Sequence, residues 1–245
     1  MAAARLPPAV RVYYDFETTG FLPAGRVVQF GAVCEDREFS QLVNPGMPIP
    51  PNATAVHRIA DAAVADAPPF AAAWREFLRF VDAVAGPRPA LLLGYNSWGF
   101  DDRVLRAELA RCGLAPAAAL GERQLWTADV KRAVDEAVRR GSFRRGSLQL
   151  GSVYAAVLGR PLEGAHEAVA DCRATLAVAA AFEDFLTCSP FAELGCNLAE
   201  RTVLAAPPAL PPLGPGGAPA VAAAEAAEAA DAPGDERPPK KARLA

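Results

Sequence analysis

Val10-Arg11-Val12-Tyr13-Tyr14-Asp15-Phe16-Glu17 runs from a stretch rich in β-branched and aromatic residues straight into two carboxylates two positions apart. Such a stretch predicts a strand, and strand side chains alternate between faces, so Asp15 and Glu17 share one face. An unpaired carboxylate on a buried strand is expensive. A hard divalent cation such as Mg²⁺ would neutralise the pair through oxygen ligands while keeping waters for a phosphate substrate. An exposed edge strand ending in two solvated acids fits the same residues equally well. The choice depends on what the remaining chain brings to that strand tip.

Outward from this stretch, Val27–Cys34 and Glu38–Val43 predict two further strands after short turns. Ala90–Asn96, with Leu91-Leu92-Leu93, predicts a buried strand. Apolar residues at helical spacing predict helices over Pro69–Ala85, Asp101–Cys112, Ala128–Arg140, Ser147–Leu158 and Glu167–Leu186. A strand meander followed by alternating strands and helices argues for an α/β sandwich around a mixed sheet.

The 245 residues are 52% apolar and 22% charged, enough for one core of roughly 200 residues with a tail. The net charge of −3 makes any nucleic-acid site a local patch, not a global field. Cys34, Cys112, Cys172, Cys188 and Cys196 form an odd set without a CxxC pair, which predicts neither a disulfide framework nor a zinc site. With no signal-peptide-like start and no apolar run of membrane-spanning length, the expectation is a protein neither secreted nor membrane-bound.

A second acidic site follows the buried strand at Gly94-Tyr95-Asn96-Ser97-Trp98-Gly99-Phe100-Asp101-Asp102. Sites in open α/β sheets gather at the carboxyl ends of strands. Asp101 and Asp102 also suit the start of the next helix, where acids are favourable without further purpose. The third site is Gly164-Ala165-His166-Glu167-Ala168-Val169-Ala170-Asp171. Asp171 lies one turn into a helix that is almost continuously apolar, interrupted besides only by Arg173 and Thr175 up to Phe182, and needs a partner there; a cation held by the strand pair would supply it. His166 lies on the loop before that helix, and an imidazole is the side-chain type suited to proton abstraction near neutrality.

These three segments together resemble the DEDDh branch of the exonucleases with an RNase H-like fold. That group includes the proofreading subunit of bacterial DNA polymerase III, bacterial exonuclease I, RNase T and the TREX enzymes. The family's DxE-Thr-Thr-Gly motif is met by Asp15-Phe16-Glu17-Thr18-Thr19-Gly20, its Asn and aromatic-Asp motif by Asn96 and Phe100-Asp101, and HxxxxD by His166 and Asp171. Where the family reads His-Gly-Ile, this chain has His57-Arg58-Ile59. The resemblance covers residues 8–187. It implies a three-layer α/β/α sandwich on a mixed, mainly five-stranded sheet, within an exonuclease domain of residues 1–206.

The resemblance further implies that Asp15, Glu17, Asp101 and Asp171 hold two Mg²⁺ or Mn²⁺ ions, with His166 as general base. Two ions about 4 Å apart stabilise both the attacking and the leaving oxygen of a phosphodiester. The expected reaction is 3′→5′ hydrolysis of single-stranded or frayed DNA to nucleoside 5′-monophosphates. An RNA 3′ exonuclease is the alternative within the same chemistry, and a non-catalytic nucleic-acid-binding scaffold is the alternative outside it. Thr18, Thr19, Gly20, Asn96 and Phe100 are expected at the substrate, with Phe21 and Leu22 as a wedge against the terminal base. Arg144 and Arg145 belong to a basic stretch from Lys131 onward that can hold phosphates. The resemblance leaves open a free-standing enzyme, a homodimer and a polymerase- or repair-bound subunit.

After residue 206 the composition turns to Pro, Gly and Ala, and residues 207–245 are expected to be a disordered tail. Its end, Pro238-Pro239-Lys240-Lys241-Ala242-Arg243, holds two of the three lysines. Lys240, Lys241 and Arg243 read as a nuclear import signal bound by an import receptor, which predicts a nuclear protein, or otherwise a cytoplasmic one.

Overall fold

The computed structural model describes residues 9–114, 123, 125–144, 146–186 and 196–197. Its centre is a sheet of order β3-β2-β1-β4-β5-β6. The strands are β1 (Val10–Thr18), β2 (Val27–Cys34), β3 (Arg37–Leu42), β4 (Ala90–Gly94), β5 (Leu125–Asp129) and the two-residue β6 (Cys196–Asn197). β1, β2 and β3 form the expected antiparallel meander, and β1, β4 and β5 run parallel, so the sheet is mixed. The carboxyl ends of β1, β4 and β5 therefore lie along one edge, at Thr18, Gly94 and Asp129.

Alternation along β1 divides the core. Val12, Tyr14 and Phe16 face α3 (Phe70–Ala85) and α4 (Asp101–Arg111) within one apolar cluster. α3 buries Phe70, Ala73, Trp74, Phe77, Leu78 and Val81, the spacing of one helix face. On the other side Tyr13, Leu91 and Leu93 meet α5 (Val130–Arg139), α6 (Leu150–Leu158) and α7 (Ala168–Ala181). Helices on both faces make the three-layer α/β/α sandwich that the resemblance implies.

Several boundaries differ. The first strand, predicted over Val10–Asp15, runs on to Thr18 as β1, so both acids lie within it, and its register slips between Glu17 and Thr18. The helix predicted from Ala128 starts at Val130, because Leu125–Asp129 is a strand paired with β4. The helix predicted over Glu167–Leu186 breaks at Phe182 into α7 and the short α8 (Glu183–Leu186). Glu183 of α8 receives both Arg11 guanidinium nitrogens at 2.6 Å, which turns that segment back toward β1. Two short helices, α1 (Pro51–His57) and α2 (Asp61–Val64), pack over Val28 and Ile49 in a small cluster of their own. Cys34, Cys112 and Cys172 are free thiols, and among the described residues no helix is long and apolar enough to cross a membrane. Arg145, the tail and its basic end lie outside the described residues.

Candidate active site

Asp15 and Glu17 stand opposite Gly31 and Gln29 of β2, on the sheet face that α7 covers. Gly31 lets the start of that helix settle on the sheet: a Cβ there would lie 2.6 Å from the Ala168 carbonyl carbon. Gln29 fixes the same turn from both sides. Its Oε1 accepts the Ala168 N–H at 3.3 Å, and its Nε2 donates to Glu167 at 3.2 Å. Glu167 in turn caps α7 by accepting the Ala170 N–H at 2.8 Å. One turn further in, Asp171 is delivered beside Glu17.

His166 enters this turn with φ of 64° and an exposed ring, and its N–H donates to the Asp171 carboxylate at 3.0 Å. Glu17, His166 and Asp171 each offer one ligand atom, all within 4.8 Å of one another. Asp101 arrives from the other helical layer. It lies buried in the first turn of α4, and its Oδ1 accepts the Phe16 N–H at 3.2 Å. Its neighbour Asp102 points elsewhere and accepts a hydrogen bond from the Tyr14 hydroxyl. The structure thus brings Asp15, Glu17, Asp101, His166 and Asp171 to one tip of the sheet.

The four acids are mutually uncomfortable. Burial raises the Asp15 carboxyl well above the usual range, and Asp101, Glu17, Asp171 and Glu167 raise it further. Burial, then Asp171 and Glu167, push Glu17 up to about 8. Burial and Asp102 raise Asp101 well above its ordinary value, and burial raises Asp171 against the hydrogen bond from His166. Among the described residues none of the four pairs with Lys or Arg. An all-carboxylate set with one imidazole at its edge, short of positive charge, fits a hard divalent cation.

Around this centre the sequence-predicted contacts divide. Thr18 and Thr19 build the turn after β1: the Thr18 hydroxyl donates to the Gly20 carbonyl at 3.0 Å, and Thr19 Oγ1 accepts the Arg26 N–H at 3.0 Å. Phe21 is 51% exposed, so it is a surface ring and not a core residue. It meets Phe100 edge-on at 6.0 Å, while Leu22 packs against the core. Asn96, at φ of 59°, is exposed and its side chain lies over Gly99. Tyr95, half-buried, packs against the core and donates its hydroxyl to the Leu148 carbonyl at 2.7 Å.

In the basic stretch, Lys131 pairs with Asp135, and Arg139 and Arg140 both pair with the buried Glu136. That leaves Arg132, stacked 4.6 Å over the Trp98 ring, and the exposed Arg144. Arg58 adopts φ of 63°, so an arginine fills the left-handed position that a glycine would take most easily. His57 is buried beneath it, its Nδ1 accepting the Ile59 N–H at 3.0 Å and its pKa lowered mainly by that burial.

Asp129 escaped the sequence reading. At the end of β5, its Oδ1 accepts the Asn96 N–H at 2.9 Å and the Lys131 N–H at 3.0 Å, and its Oδ2 the Trp98 N–H at 3.2 Å. One buried carboxylate therefore caps α5 and holds the loop that leads to Asp101. The available signal was a cap-forming acid directly before Val130-Lys131.

The chain belongs to the DEDDh-type, DnaQ-like exonucleases: the RNase T exonuclease family model matches residues 12–179. A DNA polymerase III subunit epsilon-like protein of Rhodobacter capsulatus is 38% identical over 115 residues, which are 43% of this chain and 15% of that protein. The solved structure of exonuclease I superposes with a TM-score of 0.60 at 21% identity, covering 73% of this chain and 43% of the other. E. coli exonuclease I in complex with a dT13 oligonucleotide gives 0.58 at 22% identity, over 73% of this chain and 41% of that one. Cell-death related nuclease 4 gives 0.61 at 17% identity, covering 72% and 64%. At these identities the likeness to solved structures establishes the fold, and this chain spans 15% of the polymerase-subunit relative and less than half of exonuclease I.

Proposed function

We propose that this protein is a divalent-cation-dependent 3′→5′ exonuclease that removes nucleoside 5′-monophosphates from single-stranded or frayed DNA. The observation that carries this reading is the convergence of Asp15, Glu17, Asp101 and Asp171 on one strand tip, with the His166 imidazole beside Glu17 and Asp171. Those four carboxylates would hold two Mg²⁺ or Mn²⁺ ions. When bound, the ions lower the pKa of an attacking water and neutralise the phosphodiester's charge.

The chain's own residues do the rest. The exposed His166 ring, tethered through its backbone to Asp171, takes the proton from the attacking water. Phe21, supported edge-on by Phe100, offers a face to the terminal base. Arg132 and Arg144 meet phosphates upstream of the cleaved bond. The basic end at Lys240, Lys241 and Arg243 directs the protein to the nucleus through an import receptor.

The deciding experiment incubates the purified full chain with 5′-labelled DNA and RNA oligonucleotides in Mg²⁺ or in EDTA. A ladder of DNA products shortened from the 3′ end, abolished by EDTA, is expected. Faster loss of RNA would reassign the substrate, and no hydrolysis of either would leave a binding protein. A reporter fused to residues 207–245 tests import: nuclear accumulation is expected, and a diffuse signal rejects it.

A further inference from the structure

The turn after β1 must present the exposed Phe21 ring at a fixed distance from the acids, yet Gly20-Phe21-Leu22-Pro23-Ala24-Gly25 contains no polar side chain of its own. It closes on itself, with the Gly25 N–H donating to the Phe21 carbonyl at 2.9 Å. The approach is tight enough that a Cβ on Gly25 would lie 2.1 Å from the Gly20 oxygen.

What fastens the closed end is the far end of α4. Glu108 is 1% exposed, and its Oε1 accepts Arg26 Nε at 2.8 Å and the Val27 N–H at 3.2 Å. Arg111, three residues on and on the same helix face, reaches that oxygen at 3.4 Å. It donates to the Gly25 carbonyl at 3.1 Å and to the Pro23 carbonyl. The guanidinium fork thus bridges one buried acid and two carbonyls of the loop, which a single ammonium cannot match.

We propose that Arg111, oriented by Glu108, is a positioning residue for the terminal-base contact: it fixes the loop so that the Phe21 ring stands against Phe100 and meets the last base of the strand. This rests on the exonuclease reading above. The same helix carries Asp101 in its first turn and Arg111 in its last, and Phe100, which supports Phe21, directly precedes Asp101. Eleven helical residues, about 16 Å of rigid rod, therefore set both the acid and the ring. A loop released from Arg111 still folds, but its ring must be ordered by the substrate at an entropic cost to binding.

The test is a double-variant cycle on the full chain, using a single-stranded oligonucleotide with 2-aminopurine at its 3′ end. Arg111→Ala keeps the helix and leaves Glu108 paired with Arg26. It is expected to raise KM about fivefold or more, the loss of one base–aromatic stack, with kcat little changed. Quenching of the terminal 2-aminopurine, read in EDTA with the protein in saturating excess so that the strand stays bound and nothing is cleaved, should fall as it does in Phe21→Ala. The double variant should be no worse than Phe21→Ala, and Arg111→Lys should recover only part of the loss.

An unchanged KM for Arg111→Ala overturns the proposal, as does a loss that adds in full to that of Phe21→Ala. Unchanged quenching in Phe21→Ala removes the base contact itself and the proposal with it. A parent protein that quenches 2-aminopurine but cleaves nothing refutes the exonuclease reading, while the ring contact is still measured.

Discussion

Glu17 titrates near 4.5 as a free side chain and at about 8 in the folded, metal-free protein, because burial and the charges of Asp171 and Glu167 oppose its ionisation. Between those two values the folded chain keeps a proton that the unfolded chain has lost. Folding then takes up protons, and stability falls as pH rises through that window. Asp15, Asp101 and Asp171, all raised for the same reasons, add to the slope. Thermal melts in EDTA should therefore drop between pH 5 and pH 8, and Mg²⁺ or Mn²⁺ should stabilise more at pH 8 than at pH 6. A melt independent of pH in EDTA would mean that the acids are not crowded together. The same crowding gives opposite signs for function and folding: Asp15→Asn removes the carboxyl that folding must protonate, so it should melt higher without metal near neutral pH and lose essentially all hydrolysis. His166→Ala, whose exposed ring leaves no cavity, should keep the parent melting curve and lower kcat by about 10²–10⁴-fold, as loss of a general base does.

β1 and α7 make the site only because nothing separates them at Gly31. With a Cβ there aimed at the Ala168 backbone, Gly31→Ala must push back the helix that carries Asp171. The expected cost is about 1–3 kcal/mol of stability, typical of overpacking. Calorimetric Mn²⁺ titration should show weaker binding as well, since Asp171 would move off Glu17 while both residues remain. Binding equal to the parent would show that the helix start tolerates the shift. Short-range pattern marked the acids singly, Asp15 and Glu17 by strand alternation and Asp101 and Asp171 by their place at helix starts, but it fitted solvated or capping acids as well, and the resemblance was what joined them into one set. β5 was not legible. Leu125–Asp129 is only five residues long and passes into α5 with no turn, and its pairing to β4 is a tertiary fact. Asp129 disappeared with it, since its value lies in reaching Asn96 and Trp98, more than thirty residues away. α1 and α2 were missed for a related reason: they are seven and four residues long, and only their packing over Val28 and Ile49 selects them. Gly31 itself reads as an ordinary weak strand residue until the helix that lies on it is known.

Across the whole molecule the charge runs against a polyanionic substrate. The net charge is −3, and four acids crowd the proposed phosphate site. Attraction has to come from local cations, and in the stretch after β5 the ion pairs limit how many the described residues offer. Glu136 engages Arg139 and Arg140, Glu108 engages Arg26 and Arg111, and Asp135 engages Lys131. Arg132 lies over Trp98 and Arg144 is exposed, with Arg145 next to it in sequence. Each phosphate neutralised on a single strand contributes about −0.7 to the slope of log K against log salt. Two or three such contacts give a slope of about −1.4 to −2.1, far shallower than that of a dedicated DNA-binding protein. Fluorescence anisotropy of a labelled single strand in Ca²⁺, titrated from low to moderate salt, measures this directly. Arg132→Ala should reduce the slope by about 0.7 and weaken all sequences alike, because a phosphate contact carries no base information. A flat salt response, or an Arg132→Ala slope equal to the parent's, would place the strand elsewhere on the surface. A slope of the expected size leaves the grip to stacking at Phe21 and to the cations between the acids, so occupancy of the strand should depend more steeply on divalent metal than on monovalent salt.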